Sequence, residues 1–570
     1  MKVLIIGGVA GGASAAARLR RLDEKAEIII FERGEYISYA NCGLPYFIGG
    51  EIKNQAALLL QTPQSFKARF NIDVRVKNDV VEIDSKSKTI TVRDLSDGSE
   101  YIESYDKLVL SPGAEPVKPP IPGINSDKVF TLRNIPDTIK IKSYIENSHP
   151  KTAVITGGGY IGVEMAENLK KAGLDVTVIE LADHLIGALD FDMAADVHSY
   201  IAESGIKLLL NSGVKEITEK DEGLDIAVST ASGDKTIGAD MLIMSVGVRP
   251  DTALAKKAKI TANAHGSIIT DSHMKTSIPD IYAVGDAIEV NNFITGKSAF
   301  IPLAGPANKQ GRIAADNICG IESEYNGTQG SSVLKLFDMT IGTTGINESS
   351  AKNSGLAYDK TYIYSGSHAG YYPGAKNMSI KVIWDKDSKK LLGAQIVGFD
   401  GVDKRMDVLA TAIRFEAKIT DLTTLELCYA PPFGSAKDPV NMAGYVAENV
   451  ISRKVKQFFW HDVAKLPRDG SVTLLDVRTV AEFENGHIGG FINIPVDVLR
   501  SKLDQISKDK PVFVHCHSGL RSYIACRILS GNGYDCYNLA GGWRLYANIE
   551  KTLKSSGINK IEDYPCYSCR

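Results

Sequence analysis

The sequence is poor in cysteine, in net charge and in long hydrophobic runs. Eight Cys in 570 residues are too few for a disulfide-stabilised scaffold, and they favour a reducing compartment in which single thiols can be reactive. The 65 basic and 68 acidic residues leave a net charge of -3, which excludes the strong positive field of a general nucleic-acid binder. No stretch reaches the roughly 18 apolar residues of a membrane span. The uncharged run Val3–Ala17 contains four glycines and leads into a βαβ unit rather than a cleavage site, so we expect a cytoplasmic protein.

Glycine, by contrast, is abundant, with 52 residues, and part of it lies in two copies of one plan. Each copy is a short apolar strand, a glycine-rich turn, an amphipathic helix and a second strand that ends at an acid. The copies run through Lys2–Ile6, Ala13–Leu22, Glu27–Phe31 and Glu32, and through Thr152–Thr156, Val163–Ala172, Asp175–Ile179 and Glu180. This pattern is typical of a dinucleotide-binding βαβ unit and indicates an α/β fold.

The second copy is complete, because Gly157-Gly158-Gly159-Tyr160-Ile161-Gly162 fits G-x-G-x-x-G. Such a turn presents a helix N-terminus to a pyrophosphate. The first copy departs from the pattern by placing Val9 between Gly7 and Gly12. Glu32 and Glu180 can each accept a hydrogen bond from a ribose, and a carboxylate at 180 repels a 2′-phosphate, which favours NADH over NADPH. The alternative is two βαβ turns whose glycines only pack and bind nothing.

The rest of the chain divides into segments that differ in predicted secondary structure and polarity. Strands ending in glycine at Gly113, Gly247 and Gly285 complete two nested nucleotide-binding domains, and the segment after residue 331 is richer in strands. A polar stretch then reads as a linker before a further α/β unit. The predicted boundaries are 1–110 and 261–330 for the first nucleotide-binding domain, 111–150 for a crossover, 151–260 for the second nucleotide-binding domain, 331–450 for an α+β domain, 451–459 for the linker, 460–550 for the last α/β domain and 551–570 for a tail.

The run Ser38-Tyr39-Ala40-Asn41-Cys42-Gly43-Leu44-Pro45-Tyr46, with the two nucleotide motifs and Gly285-Asp286, resembles the pyridine nucleotide–disulfide oxidoreductases over residues 1–450. More narrowly it resembles the coenzyme A-disulfide reductases and their persulfide-reducing relatives. The resemblance implies a homodimer that acts on small thiols, disulfides or persulfides. It implies FAD in the first nucleotide-binding domain, NADH in the second, and residues 331–450 as a dimerisation domain. It implies FAD contacts at Gly7, Val9, Ala10, Gly11, Gly12, Glu32, Arg33, Ser111, Gly113, Arg133, Gly285, Asp286, Pro302, Leu303 and Ala304, and NADH contacts at Gly157, Gly159, Tyr160, Ile161, Gly162, Glu164, Glu180 and Gly247.

Cys42 has no partner cysteine five residues away, because Phe47 stands there. An internal C-x-x-x-x-C disulfide is therefore excluded, and three options remain for Cys42: a mixed disulfide with an external thiol, a sulfenic acid, or an inert thiol.

Ser14, Arg18 and Arg21 follow at i, i+4 and i+7 on one face of the first helix. The simple interpretation is a solvated basic face. The resemblance implies coenzyme A contacts instead, because guanidinium groups pair well with phosphates. The implied set is Ser14, Arg18, Arg21, Ser38, Asn41, Arg69 and Lys437.

The hypothesised reaction passes electrons from NADH through FAD to a Cys42–S–S–CoA mixed disulfide and releases the CoA thiol. The leaving thiolate needs a proton donor. No H-x-x-x-x-E motif follows residue 400, and the resemblance places two tyrosines in that role, matched by Tyr371 and Tyr429. Because Tyr372 is adjacent, the match of the first of these tyrosines to position 371 rather than 372 stays open. His368 is expected to be structural.

Residues 460–550 resemble a rhodanese domain, with the loop Cys516-His517-Ser518-Gly519-Leu520-Arg521 between a strand and a helix. Backbone N–H groups in such a loop point at the sulfur and favour a thiolate or persulfide anion. Arg521 adds positive charge for an anionic donor. The four residues between Cys516 and Arg521 make a narrower cradle than a phosphatase uses, which favours sulfur transfer.

Three functions compete. The first is an NADH-dependent reductase of CoA disulfide, CoA persulfide or polysulfide, with Cys516 carrying sulfur. The second is an NADH oxidase or peroxidase that uses Cys42 as a sulfenic acid, and the third is a non-enzymatic interaction protein. Cys319, Cys428, Cys526 and Cys536 are expected to be structural, and no metal site is predicted, although Cys566 and Cys569 could form a redox pair or half of a metal site.

Overall fold

A computed structural model describes residues 1–557 as two compact units. The first unit comprises Met1–Val176, Val214–Ala227 and Thr236–Gly330, and the second comprises Thr177–Gly213, Val228–Lys235 and the chain from Ser331. Cys566 and Cys569 lie outside the described residues. Across residues 1–557, none of the helices has the length and hydropathy that a membrane crossing needs.

Two βαβ units lie in the first 330 residues, as the sequence predicts. Residues 1–150 form β1 (Lys2–Ile6), α1 (Ala10–Leu22), β2 (Glu27–Glu32), α2 (Leu44–Ile48), α3 (Pro63–Phe70), β3 (Asp73–Val76), β4 (Asn78–Asp84), β5 (Thr89–Asp94), β6 (Glu100–Ser104), β7 (Lys107–Leu110), β8 (Ala114–Pro116), β9 (Val129–Phe130) and α4 (Ile135–Ser148). Residues 151–330 form β10 (Thr152–Thr156), α5 (Tyr160–Lys171), β11 (Asp175–Ile179), α6 (Phe191–Glu203), β12 (Lys207–Leu209), β13 (Gly213–Lys220), β14 (Gly223–Thr230), β15 (Gly233–Ala239), β16 (Met241–Met244), β17 (Val248–Pro250), α7 (Ala253–Lys257), β18 (Ile281–Ala283), β19 (Val290–Asn291), β20 (Ser298–Ala299) and α8 (Ala304–Ile318).

Five strands of the first unit form a parallel sheet in the order β18, β7, β1, β2, β3. Val3, Leu4 and Ile5 of the central strand are fully buried, as expected where both faces of a parallel sheet are covered. The carboxyl ends of β1, β2 and β7 share one edge of the sheet, so the first glycine turn, Glu32 and Ser111 lie there together. In the second nucleotide-binding motif, β10 pairs with β16 and β16 with β9 within the first unit, and Thr177–Ile179 of β11 pair with β12 within the second.

Both nucleotide-motif helices begin three residues earlier than predicted, at Ala10 and Tyr160, because the last residues of each turn already have helical geometry. Helix α1 packs against α8 so closely that a Cβ on Gly311 would lie 2.3 Å from the carbonyl oxygen of Gly11. Arg20 points away from the predicted basic face. It is buried, and its guanidinium donates to five backbone carbonyls, including those of Phe70 and Ala26.

The second unit contains an antiparallel and a parallel sheet. Its elements from Ser331 onward are β21 (Ser332–Leu336), β22 (Met339–Gly345), α9 (Glu348–Asn353), β23 (Tyr358–Gly366), β24 (Asn377–Asp385), β25 (Leu391–Gly398), α10 (Val402–Arg414), α11 (Pro439–Ile451), β26 (Lys456–Phe458), β27 (Thr473–Asp476), α12 (Val480–Glu484), β28 (Ile492–Asn493), β29 (Val512–His515), α13 (Leu520–Gly531), β30 (Cys536–Leu539) and α14 (Gly542–Ser555). The antiparallel order is β21, β22, β25, β24, β23, and the parallel order is β26, β30, β29, β27, β28.

The stretch that the sequence assigns to a linker contains a strand. Lys456–Phe458 pair in parallel with Tyr537–Leu539 and form the edge of the last sheet, and Phe458 is buried in that domain's core. Polarity misled the prediction because an edge strand of three residues needs only one buried side chain. The edge strand of the last sheet thus lies before residue 460.

A buried ion cluster lies within the second unit. The Lys381 ammonium on β24 lies 2.8 Å from Asp190, 2.9 Å from Asp192 and 2.5 Å from Glu348, and Lys360 also contacts Glu348, at 2.6 Å. All five side chains are buried. The ammonium thus occupies the space between the three carboxylates and, together with Lys360, offsets part of their charge.

Candidate active sites

The first glycine turn is shaped to bring a ligand close to the backbone. Gly7 has a φ of +98°, which favours glycine, and a Cβ there would lie 2.1 Å from the carbonyl oxygen of Ser111. A Cβ on Gly12 would lie 1.9 Å from the carbonyl oxygen of Gly7. Val9 precedes the helix and no side chain caps it, so the N-terminal N–H groups of α1 have no side-chain acceptor at that position. These features fit a pyrophosphate despite the irregular motif.

The acids predicted to hold a flavin lie around the same sheet edge. The Glu32 carboxylate accepts from the N–H groups of Gly8 and Gly34, both at 2.9 Å. Asp286 lines a small cavity with Gly285, Pro302 and Leu303. Within residues 1–557 its carboxylate has no hydrogen-bond donor, and burial raises the pKa of Asp286. An unpartnered carboxylate in a cavity suits a ligand with hydroxyl groups, so these residues fit the sugar and ribityl portions of FAD.

Two arginines predicted to contact the flavin already share an acid. Arg33 lies 2.5 Å from Glu115 and 2.7 Å from Asp251, and Arg133 also pairs with Glu115. Arg133 donates a further hydrogen bond to the carbonyl of Pro112 at 3.2 Å. The arrangement holds both guanidinium groups near the end of β7, where Ser111 and Gly113 lie.

The second glycine turn repeats the geometry of the first. Gly157 has a φ of +100°, and a Cβ on Gly162 would lie 1.9 Å from the Gly157 carbonyl oxygen. A Cβ on Gly159 would meet nothing within 4 Å, so this position opens onto free space. Glu180, at the tip of β11, accepts from the Ala182 N–H at 2.7 Å. The turn therefore has the room that a second pyrophosphate needs.

Cys42 is exposed and lies in a short 3-10 turn before α2. Desolvation in its loop raises the pKa of the Cys42 thiol, and the carboxylates of Glu164 and Asp286 raise it further. Glu164 accepts a 3.3 Å hydrogen bond from the Tyr46 hydroxyl, and burial raises the pKa of Glu164 to about 7. On balance the surroundings of this thiol disfavour its ionisation, so a bound group that stabilises negative charge would favour the thiolate.

The predicted basic face of α1 forms one wall of a cleft of about 360 Å³ in the first unit. Ser14, Arg18, Arg21 and Ser38 all line it. Ser38 has a φ of 43°, a left-handed conformation that a residue with a side chain rarely adopts outside functional or tightly constrained sites. Asn41, which directly precedes Cys42, is exposed, and Arg69 is exposed on α3 outside the cleft wall.

Sequence reasoning missed several members of the cleft. They are Gln61, Phe66, Phe70, Asn308 and Arg312. Asn308 and Arg312 lie one turn apart on α8, and Asn308 accepts a 2.8 Å hydrogen bond from Ser14. The Arg18 Nε contacts Asp316 at 2.7 Å, which holds that side chain against α8. The i, i+4 spacing of Asn308 and Arg312 was the available signal, but nothing in the sequence places α8 beside α1.

The two predicted tyrosines meet in the second unit. The hydroxyls of Tyr371 and Tyr429 are 2.8 Å apart, although 58 residues separate them, and both side chains are exposed. Tyr372 packs edge-on against His368 instead, which favours Tyr371 as the partner of Tyr429. His368 is buried and contacts the Ala369 carbonyl, as expected for a structural residue. Lys437 is exposed immediately before Asp438, which caps α11.

The Cys516 loop points hydrogen-bond donors at a buried sulfur. The Gly519 N–H lies 3.1 Å from Cys516 Sγ, and the Ser522 hydroxyl lies 3.2 Å from it. Cys516 is fully buried at the end of β29, and α13 begins at Leu520. Donors in this arrangement stabilise a thiolate or a persulfide anion.

Arg521 does not offer the free charge that the sequence suggests. Its Nη1 and Nη2 contact the two carboxylate oxygens of Glu482 at 2.7 and 2.6 Å. The guanidinium is therefore already paired at the mouth of the loop.

Comparison with known proteins assigns three regions. Residues 1–311 match the family described as pyridine nucleotide-disulphide oxidoreductase, residues 331–439 match the dimerisation domain of that family, and residues 460–548 match the rhodanese-like domain. The predicted fold class and the use of FAD and NADH, which are characteristic of this family, are confirmed.

Curated relatives and solved structures agree with these matches. A coenzyme A disulfide reductase of Staphylococcus epidermidis is 37% identical over 78% of this chain and 100% of its own length, and an NADH oxidase of Methanocaldococcus jannaschii is 38% identical over 80% and 100%. The structure of reduced Bacillus anthracis CoADR-RHD superimposes with a TM-score of 0.94 at 47% identity, covering 96% of this chain and 98% of that one. A NAD-dependent persulfide reductase from A. fulgidus gives a TM-score of 0.90 at 38% identity, covering 96% and 100%. The chain is therefore an oxidoreductase that belongs to the pyridine nucleotide-disulphide oxidoreductase family and carries a rhodanese-like domain after its dimerisation domain.

Proposed function

We propose that the protein uses NADH to reduce disulfides and persulfides of coenzyme A at Cys42, and that Cys516 carries sulfane sulfur. The observation that supports this most directly is an exposed single thiol close to an arginine-lined cleft. Ser38 in the cleft wall and Cys42 are four residues apart, so at most about 14 Å of extended chain joins them. A carrier bound by its phosphates at Arg18 and Arg21 could thus present a thiol end to Cys42.

Cys42 performs the covalent step. Its thiolate attacks one sulfur of a CoA disulfide, the substrate S–S bond breaks, and one CoA thiolate leaves as the Cys42–S–S–CoA mixed disulfide forms. When bound, FAD would supply the two electrons that NADH donates. Two electrons then break the mixed disulfide and release the second CoA. With a CoA persulfide the same exchange releases hydrogen sulfide.

The tyrosine pair has the chemistry to supply the proton that a leaving thiolate needs. Two hydroxyls 2.8 Å apart can pass a proton from solvent, because one phenol donates outward while it accepts from the other.

We also propose that the protein is a homodimer. Tyr371, Phe415 and Phe433 are each more than 70% exposed in the region that matches a dimerisation domain. The match to a dimerisation domain supports the assembly, and these aromatic side chains are available to be buried in it. Light scattering should give twice the 61.6 kDa chain mass, and a monomer at assay concentration would contradict the proposal.

The reductase is tested by following NADH oxidation in parallel with CoA disulfide, CoA persulfide, polysulfide and oxygen. Cys42→Ser should lower CoA-disulfide turnover by about a thousandfold or more while NADH still reduces the flavin. Cys319→Ser, a partly exposed thiol of the same unit, is the matched control and should keep full activity. Undiminished turnover in Cys42→Ser would refute the proposal.

The second candidate is an NADH oxidase that uses Cys42 as a sulfenic acid, which the Methanocaldococcus relative's name favours. Intact-mass measurement of the purified protein separates the two. A thiol-reversible adduct of CoA size on Cys42 supports the reductase, and a single added oxygen supports the oxidase.

A further inference from the structure

Glu482 holds the only arginine side chain of the Cys516–Arg521 loop. The two contacts at 2.7 and 2.6 Å form a parallel, bidentate pair, which fills one side of the guanidinium fork. Glu482 is fixed from its other side, because its carboxylate accepts from the N–H of Thr479 at 3.0 Å and from the Thr479 hydroxyl at 2.9 Å. The hydrogen bond from Arg521 lowers the pKa of Glu482 to about 2, so the acid stays charged at neutral pH.

Among the other polar groups at the loop, Arg544 adds a positive charge that acts on His517, and its side chain lies against a tyrosine ring. Arg478 is buried and paired with Asp476 at 2.6 Å. Burial lowers the pKa of His517, which keeps that imidazole neutral at neutral pH. The Arg544 guanidinium lies 4.7 Å from the centre of the Tyr364 ring. The sulfur of Cys516 itself is contacted by neutral donors, the Gly519 N–H and the Ser522 hydroxyl.

This charge distribution separates two classes of sulfur donor. Thiosulfate is a small dianion, so both of its charges would lie close to the loop and to the Glu482 carboxylate. A persulfide of a larger thiol carries at most one charge on its sulfane sulfur, where the N–H and O–H donors can receive it, and the phosphates of CoA persulfide lie at the far end of the pantetheine arm. We propose that Glu482 determines donor specificity, favouring persulfides of larger thiols over small dianionic donors by withholding Arg521 from them. The inference rests on the proposed sulfur-carrying function of Cys516.

The transfer needs no external oxidant or reductant. The Cys516 thiolate attacks the terminal sulfur of R–S–SH, the donor S–S bond breaks, and a new S–S bond forms on Cys516. The departing R–S⁻ takes the persulfide proton and leaves as R–SH, so that Cys516–S–S⁻ remains. With thiosulfate the same attack releases sulfite.

The test measures thiocyanate formation by the full-length holoenzyme with cyanide as acceptor and without NADH, using thiosulfate or CoA persulfide as donor. Rates from Cys516→Ser are subtracted. Glu482→Gln removes the charge but keeps a side-chain oxygen that can accept the hydrogen bonds from Thr479. We expect the KM for thiosulfate to fall about tenfold, as for loss of one like charge near a dianion, with kcat little changed. The kcat/KM for CoA persulfide should stay within about twofold.

Two further variants make the result specific. Glu484→Gln removes a charge from the same short helix at an exposed position and should change neither donor. Glu482→Gln combined with Arg521→Gln should lose the gain for thiosulfate, because the gain comes from the released guanidinium. The gain should also shrink as salt is raised.

Two results would overturn the inference. If Glu482→Gln changed both donors by the same factor, or lowered thiosulfate activity, Glu482 would have a structural role only. If the unmodified protein formed no Cys516-dependent thiocyanate from either donor, the sulfur-carrying function would fail, and the inference with it.

Discussion

Replacing Lys381 by methionine should destabilise the second unit without touching either thiol site. The ammonium contacts Asp190, Asp192 and Glu348 within 2.9 Å, and all of these groups are buried. Methionine matches the length of the aliphatic stem and fills the space without the charge. The variant therefore leaves buried carboxylates with too little counter-charge.

The loss of unfolding free energy depends on the ion pairs and hydrogen bonds that the three carboxylates keep in the variant. Removing one partner of a buried ion pair costs about 3–5 kcal/mol. Lys360 stays 2.6 Å from Glu348, so the loss falls mainly on the two aspartates. Tyr362 still donates to Asp192 at 2.5 Å, and Gln395 to Asp190 at 2.7 Å. We therefore expect the lower end, about 3 kcal/mol, which corresponds to a fall in Tm of roughly 5 °C for a unit of this size at about 2.1 cal/mol/K per residue.

Tryptophan fluorescence provides the assay. Trp384, Trp460 and Trp543 are the only tryptophans in the sequence, and all three lie in the second unit. Flavin fluorescence reports the first unit in the same sample. The matched control is Lys390→Met, which breaks an exposed 2.8 Å pair with Glu416 and should shift Tm by less than about 2 °C. A Lys381→Met protein whose tryptophan transition moved no more than the control would refute the electrostatic reasoning.

Three further predictions concern catalysis. Tyr429→Phe should lower kcat for CoA-disulfide reduction by about a hundredfold with little change in KM, because the variant loses a proton donor rather than a binding contact. Tyr371→Phe should have a smaller effect of the same kind. Unchanged turnover in Tyr429→Phe would show that this tyrosine is not the proton donor. Glu164→Gln should lower the pKa of Cys42, because the ionised carboxylate raises it, so the pH midpoint of Cys42 alkylation by iodoacetamide should move to lower pH; an unmoved or higher midpoint would contradict the assignment. Glu180→Ser should raise the ratio of kcat/KM for NADPH over NADH by about tenfold, because a 2′-phosphate no longer meets a carboxylate, and steady-state kinetics with both nucleotides would show whether it does.

The sequence alone determined the features that depend on spacing along the chain. Both glycine turns, the acids at Glu32 and Glu180, and the Cys516 loop follow from local steric rules for a strand, a tight turn and a helix. The absence of a cysteine five residues after Cys42 likewise excluded an internal disulfide there without any structure. Helix starts were misplaced by three residues, because the turns themselves contribute the first helical residues.

Only the tertiary structure decided which distant groups meet. Glu482 and Arg521 are 39 residues apart, and Tyr371 and Tyr429 are 58 apart, so no periodicity relates them. Whether such side chains touch depends on strand order, register and the packing of helices on sheets, and these arise from the burial of whole surfaces rather than from a local pattern. For this reason the sequence showed an arginine in a sulfur-carrying loop, but only the fold showed that a carboxylate already holds it.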